Sequence, residues 1–164
     1  LARRRRKRQD VGYTRSRRDM FREDYINRLI EQFGHALAAL RNLITGRQAS
    51  PAEIHAQIAS VASQGGLALD VARSLDPAML VMWLAPRGEI DPGKFWLLAE
   101  LLFLEGLQAH EEGDVTRARA DLERARLLLG KIDADWRPET DLASAGERIQ
   151  DVDAALDRLG AEPS

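Results

Sequence analysis

Between Phe21 and Thr45 the apolar side chains Ile26, Leu29, Ile30, Phe33, Leu37, Leu40, Leu43 and Ile44 recur at steps of three and four. That period lines them along one face of a helix. Gly46 stands where a left-handed C-terminal cap is expected. Ser50-Pro51-Ala52-Glu53 then combines a serine cap, a proline in the first turn and a glutamate three residues after the serine. This is a capping box, and it predicts a second helix. Ile54, Ile58 and Val61 point inward from that helix, which stops at Gly65-Gly66. A short third helix follows over Leu67 to Ser74. Asp76-Pro77 repeats the cap-plus-proline signal ahead of Met79, Leu80, Val81 and Trp83. So apolar a piece is expected in the core.

Ala85-Pro86-Arg87-Gly88 breaks the pattern, and Asp91-Pro92 opens a long segment from Gly93 to Glu112 rich in Leu, Phe and Trp. It is apolar around most of its circumference, so neighbours must cover it on more than one side. Gly113-Asp114 predicts a tight turn, and a helix from Val115 to about Lys131 returns antiparallel. A last helix is expected from near Pro138 to Leu159. It carries Leu142, Ala145, Ile149, Val152, Leu156 and Leu159 on one side and ends at Gly160. Period-two alternation is nowhere sustained, so no sheet is expected. The reading is an all-α fold of about six to seven helices in antiparallel hairpins. It forms a single domain over residues 20–160, with its hairpin at 93–132.

Composition adds exclusions. At 164 residues with 45% apolar content the chain can bury a core. It has no cysteine, which removes disulfides, thiolate metal sites and cysteine nucleophiles and fits a reducing, cytoplasmic setting. No apolar run approaches the ~20 residues that span a bilayer. The net charge of −2 conceals an asymmetry: residues 1–19 hold nine Lys or Arg and two Asp, leaving 15 basic and 24 acidic side chains from Met20 onward. A run such as Arg3 to Arg8 repels itself and is expected to be disordered. Read as functional, residues 3–18 form a nucleic-acid arm that neutralises phosphates. Read otherwise, they lie upstream of a true start at Met20, which immediately precedes the first helical pattern. No apolar stretch follows the charges, as a signal peptide requires.

The segment Ala99 to Ile132, AELLFLEGLQAHEEGDVTRARADLERARLLLGKI, resembles one tetratricopeptide repeat of 34 residues. Gly106 and Ala118, twelve apart, match the small residues that let the two helices of the family's hairpin approach closely. Leu122 matches the large apolar position, and Ala125 the next small one. Leu102, Glu105, Ala109 and Gly130 depart from the family's Trp, Leu, Tyr and Pro. No second copy follows at that period, so the other helices are expected to cap the hairpin without repeating it. The resemblance implies a concave binding face on the first helix, which would present Glu100, Phe103, Leu107, His110 and Glu111. Phe21 to Phe33, FREDYINRLIEQF, together with the helices after it, is similar to an uncharacterised family of small bacterial helical proteins. That resemblance carries no activity.

Candidate chemistry is sparse. His35, His55 and His110 share no spacing of three or four that aims two at one metal. The serines lack a G-x-S-x-G setting, and Gly65-Gly66 and Arg87-Gly88 lack phosphate-loop spacing. No metal, cofactor or catalytic residue is assigned, and the chain is read as a non-enzyme. Trp83 and Trp96 are expected as core anchors. Trp136, in a polar loop beside Arg137-Pro138, is expected partly exposed and is a candidate contact. The function that fits is protein binding or self-association through helix faces. Nucleic-acid binding through residues 3–18 is the alternative.

Overall fold

The computed structural model of the chain describes residues 17–161, with the side chains of Arg17 and of residues 24–161. Among them are seven helices and no strand: α1 (Arg17–Thr45), α2 (Pro51–Gln64), α3 (Leu69–Ser74), α4 (Pro77–Leu84), α5 (Pro92–Glu111), α6 (Val115–Leu129) and α7 (Ala145–Ala161). Three start as their caps dictate. Ser50 Oγ accepts from the Glu53 N–H at 3.3 Å while the Ser50 N–H donates to the Glu53 carboxylate at 3.2 Å. Asp76 accepts from the Met79 N–H at 2.9 Å, and Asp91 from the Lys94 N–H at 3.3 Å. Each cap satisfies an orphan donor and stabilises its helix by about 1 kcal/mol.

α5 is the axis of the molecule. Every residue from Phe95 to Ala109 is buried. Its all-round hydrophobicity is explained by the helices around it: α1, α2, α6 and α7 all pack on it, α6 most extensively. The chain reverses at Gly113, whose φ of +80° suits glycine, and α6 folds back along α5. At the point of closest approach a Cβ on Gly106 would stand 2.8 Å from Leu122 Cγ and 3.3 Å from the Ala118 carbonyl oxygen. Only glycine fits there.

Several expectations need correction. α7 begins at Ala145 and not near Pro138, because residues 133–144 fold as a loop. That loop is pinned where the Ala145 N–H donates to Trp136 O and the Gly146 N–H to Ala134 O, both at 2.9 Å. The helix starts at a second capping box, in which Ser144 Oγ accepts from the Glu147 N–H and the Ser144 N–H donates to the Glu147 carboxylate. Those bonds hold the Glu147 carboxyl below its usual range. The buried stripe of α7 runs through Ala145, Arg148, Val152, Ala155 and Leu159, with Ile149 and Leu156 only partly covered.

α4 is not core: only Leu80 and Leu84 are buried, while Met79, Met82 and Trp83 are exposed. The left-handed residue after α1 is Arg47 (φ 51°) and not Gly46. Residues 1–16 of the basic segment, and the nucleic-acid reading that depends on them, lie outside the described residues. Arg17 already belongs to α1, so the helix includes the last three positions of that segment.

Candidate binding site

α5 carries three buried polar side chains, Glu100, Glu105 and Gln108, on an otherwise apolar rod. Glu100 accepts from Arg148 Nε, and Arg148, only 2% exposed, also donates from Nη1 to Asp151 at 2.6 Å. The Arg148 guanidinium lies 5.3 Å from the centre of the Phe103 ring. Arg41 of α1 completes this cluster, 3.9 Å from Asp151. Burial drives the Glu100 pKa up, and Arg148 opposes it.

The second cluster joins four helices. Around Glu105 stand His55 of α2 (Nδ1 to Oε2, 2.9 Å), Arg73 of α3 (3.7 Å) and Arg117 of α6 (3.9 Å). Arg73 is committed to Asp121 of α6 by two hydrogen bonds, of 3.0 and 2.9 Å. His55 Nε2 bonds to Glu112 at 3.2 Å. Despite these basic side chains, no hydrogen bond reaches Glu105 Oε2 among the described residues. Burial therefore dominates and raises the Glu105 pKa. Its protonated form is favoured by folding, so its contribution to stability is complete below the unfolded carboxylate pKa, about 4.3, and is lost as pH rises through the folded value. Glu105→Gln is thus expected to compare better with the native chain at pH 7 than at pH 4.5. Urea unfolding at both pH values measures this, and a pH-independent difference contradicts it.

Beyond these clusters lies a groove of about 230 Å³ between the end of α1, the start of α2 and the end of α5. Leu43, Ile44, Ala49 and Pro51 give it an apolar side, while Gln108, Glu111, Glu112 and Arg47 give it a polar one. Arg47 Nε donates to Glu111 Oε2 at 2.5 Å. α1 ends in a Schellman arrangement, with the Gln48 N–H donating to Leu43 O and the Arg47 N–H to Ile44 O. Arginine occupies the position where glycine is favoured. That backbone choice costs roughly 1 kcal/mol.

The last feature is the outer face of α4. Polar ties hold the α3–α4 region to α6: Arg124 donates to Leu75 O from Nε and Nη2 at 3.1 and 3.0 Å, and Arg73 grips Asp121. Met79 (48%), Met82 (64%) and Trp83 (38%) are left exposed on one short helix.

Of the residues singled out from the sequence, Gly106, Ala118, Leu122 and Ala125 lie together between α5 and α6, where all three side chains are buried. Glu100, Phe103 and Leu107 are buried and offer no surface to a partner. His110 and Glu111 are partly exposed at the end of α5. Trp136 is partly buried against Trp96, with ring centroids 6.3 Å apart, and Trp96 Nε1 donates to Ala143 O at 3.2 Å. The α4 face and the role of Arg148 were not assigned from the sequence, although the methionines and Trp83 were visible there.

Among the described residues no group of three His, Asp or Glu is placed to hold a metal ion, and no helix is long and apolar enough to cross a membrane. No family model matches this chain, and no curated protein or solved structure matches it.

Proposed function

We propose that the chain is a non-catalytic binding module, built on a tetratricopeptide-like antiparallel hairpin, that associates with a second copy of itself through α4. The close approach at Gly106, with Ala118, Leu122 and Ala125 buried beside it, supports the hairpin. Such a hairpin cannot bury its faces alone. Here non-repeating helices cover it, including the Phe103–Leu107 face that the family leaves open. Binding is therefore assigned to α4. The cysteine-free composition suits a cytoplasmic setting.

The observation that carries this reading is an exposed apolar face with opposite charges at its two ends. Asp76 precedes α4, Arg87 follows it, and both are exposed. Among the described residues Arg87 has no ion-pair partner. A two-fold interface brings residue i against j and j against i. Two α4 helices crossing head to tail would set Asp76 against Arg87 twice while covering Met79, Met82 and Trp83. Contiguous exposed apolar side chains rimmed by charge are characteristic of such contacts.

Sedimentation velocity over a concentration series tests this. The native chain is expected to show reversible dimerisation, weak because the patch is small, and Met82→Asp is expected to abolish it. A native chain that stays monomeric into the hundreds of micromolar overturns self-association and turns the α4 face towards a different protein.

A further inference from the structure

Met79, Met82 and Trp83 stand at positions i, i+3 and i+4 of α4, a spacing that turns them to one side of the helix, while Leu80 and Leu84 are buried on another. The chain has three methionines and no cysteine, so all its sulfur is thioether sulfur, and two of the three methionines lie on this one face. Met79 is 48% exposed and Met82 64%. A thioether is oxidised to its sulfoxide where an oxidant reaches it, and the unpaired chain leaves both of these within reach. For a contact surface the change is large. A flexible, apolar side chain gains a polar oxygen that accepts hydrogen bonds. Of the three residues only Trp83 carries a donor, one indole N–H for two sulfoxide oxygens. Covering the oxidised face would therefore bury at least one oxygen that this face cannot satisfy, and burial of that kind is unfavourable.

We infer that Met79 and Met82 form a reversible oxidation site through which hydrogen peroxide separates the α4 pair. This rests on the self-association proposed above and names its regulation. The thioether sulfur attacks one peroxide oxygen, and the S–O bond forms as the O–O bond breaks. The transferred oxygen gives its proton to the departing hydroxide, which leaves as water. Sulfur is oxidised by two electrons and the peroxide is reduced by two. Reversal draws two electrons from a dithiol through methionine sulfoxide reductases, with the oxygen released as water. Pairing covers the same sulfurs that peroxide attacks, so the two events exclude each other. The paired chain is protected, and the oxidised chain is held apart. Reversible association keeps supplying the unpaired, reactive form, and the rate of oxidation falls as protein concentration rises through the range in which pairs form.

Sedimentation velocity of the full chain before and after hydrogen peroxide, with peptide mass mapping of the added oxygen, tests the site. The native chain is expected to gain one oxygen at each of Met79 and Met82 and to dimerise at least about tenfold more weakly, the effect of burying one unsatisfied polar group. Methionine sulfoxide reductases and a dithiol are expected to restore the original affinity. Met79→Leu/Met82→Leu keeps the face apolar at similar volume and is expected to dimerise equally before and after peroxide. Met20→Leu, which keeps both α4 sulfurs, is expected to respond as the native chain does. A native chain that dimerises with unchanged affinity once both methionines carry oxygen overturns the redox control and leaves the pairing standing. So does a Met20→Leu chain that peroxide does not affect, or a leucine double variant that peroxide separates as readily as the native chain. A native chain that is monomeric before peroxide overturns the pairing itself, and this proposal with it.

Discussion

Replacing Arg148 with methionine is expected to lower the unfolding free energy by about 3–5 kcal/mol, the cost of leaving one member of a buried ion pair alone. Arg148 is the one fully charged side chain among the largest fully buried residues, and Glu100 on the central helix is 4% exposed. Without the guanidinium, Glu100 keeps only the more distant Arg41 as a positive neighbour. The sign of the pH dependence follows. Burial holds the Glu100 pKa above its unfolded value, so its contribution to stability is present below the unfolded carboxylate pKa and disappears as pH rises through the folded one. Removing Arg148 strengthens that tendency, and the deficit of Arg148→Met grows from acid to neutral pH. Adding Glu100→Leu to Arg148→Met is expected to recover most of the loss, because an apolar pair of similar volume replaces a buried ion pair at little cost. Urea unfolding of both variants measures this. A loss below about 1 kcal/mol, the level of a surface pair, contradicts the assignment.

The second large effect concerns the contact between α5 and α6. Leu122→Ala is expected to cost about 2–5 kcal/mol, since the leucine is 1% exposed and its removal leaves a cavity. Gly106→Ala gains helix propensity of about 1 kcal/mol. Its new Cβ, however, meets Leu122 Cγ at 2.8 Å and Cδ2 at 2.9 Å, near the base of that side chain. Rotation of the leucine end cannot relieve the clash, and overpacking of this kind costs about 1–3 kcal/mol. In Gly106→Ala/Leu122→Ala the added methyl occupies part of the vacated space. The double variant is therefore expected to lose less than the two single losses together, by about 0.5–3 kcal/mol. Strict additivity in a denaturation cycle would show that the two residues do not touch.

Much of the helical layout was legible because caps are local chemistry. Ser50, Asp76 and Asp91 each bond to a backbone N–H three residues on, which three consecutive letters of sequence suffice to announce. The central position of α5 was legible for a different reason: a helix apolar all round has to be covered on several sides.

What escaped notice depended on competition between signals or on tertiary context. Pro138 competed with Ser144 as a helix start. Only the loop bonds to Trp136 and Ala134 show why the later site prevails. The stripe of α7 was displaced by one residue because a hydrophobic period counts Ile149 and passes over Arg148, although burial follows Arg148 through its pairing with Glu100. In α4 the apolar residues point in every direction, so composition cannot tell which are covered. The spacing of Leu80 and Leu84 identifies the inward side only once α6 is seen beneath it. Glu105 stood out as a departure from the repeat, but the basic side chains that surround it come from residues 50, 32 and 12 positions away and left no local trace.

The pairing of two α4 helices is tested most directly by exchanging charges between chains. Asp76→Lys and Arg87→Asp are made separately, with circular dichroism confirming that each keeps its helical content, since Asp76 also caps α4. Alone, each variant sets like charges together at both ends of a two-fold pair and is expected to sediment as a monomer. Mixed in equal amounts, Lys at 76 in one chain meets Asp at 87 in the other, and the unaltered Arg87 meets the unaltered Asp76, so dimers are expected to return. A mixture that remains monomeric while the native chain dimerises would contradict the head-to-tail arrangement of α4.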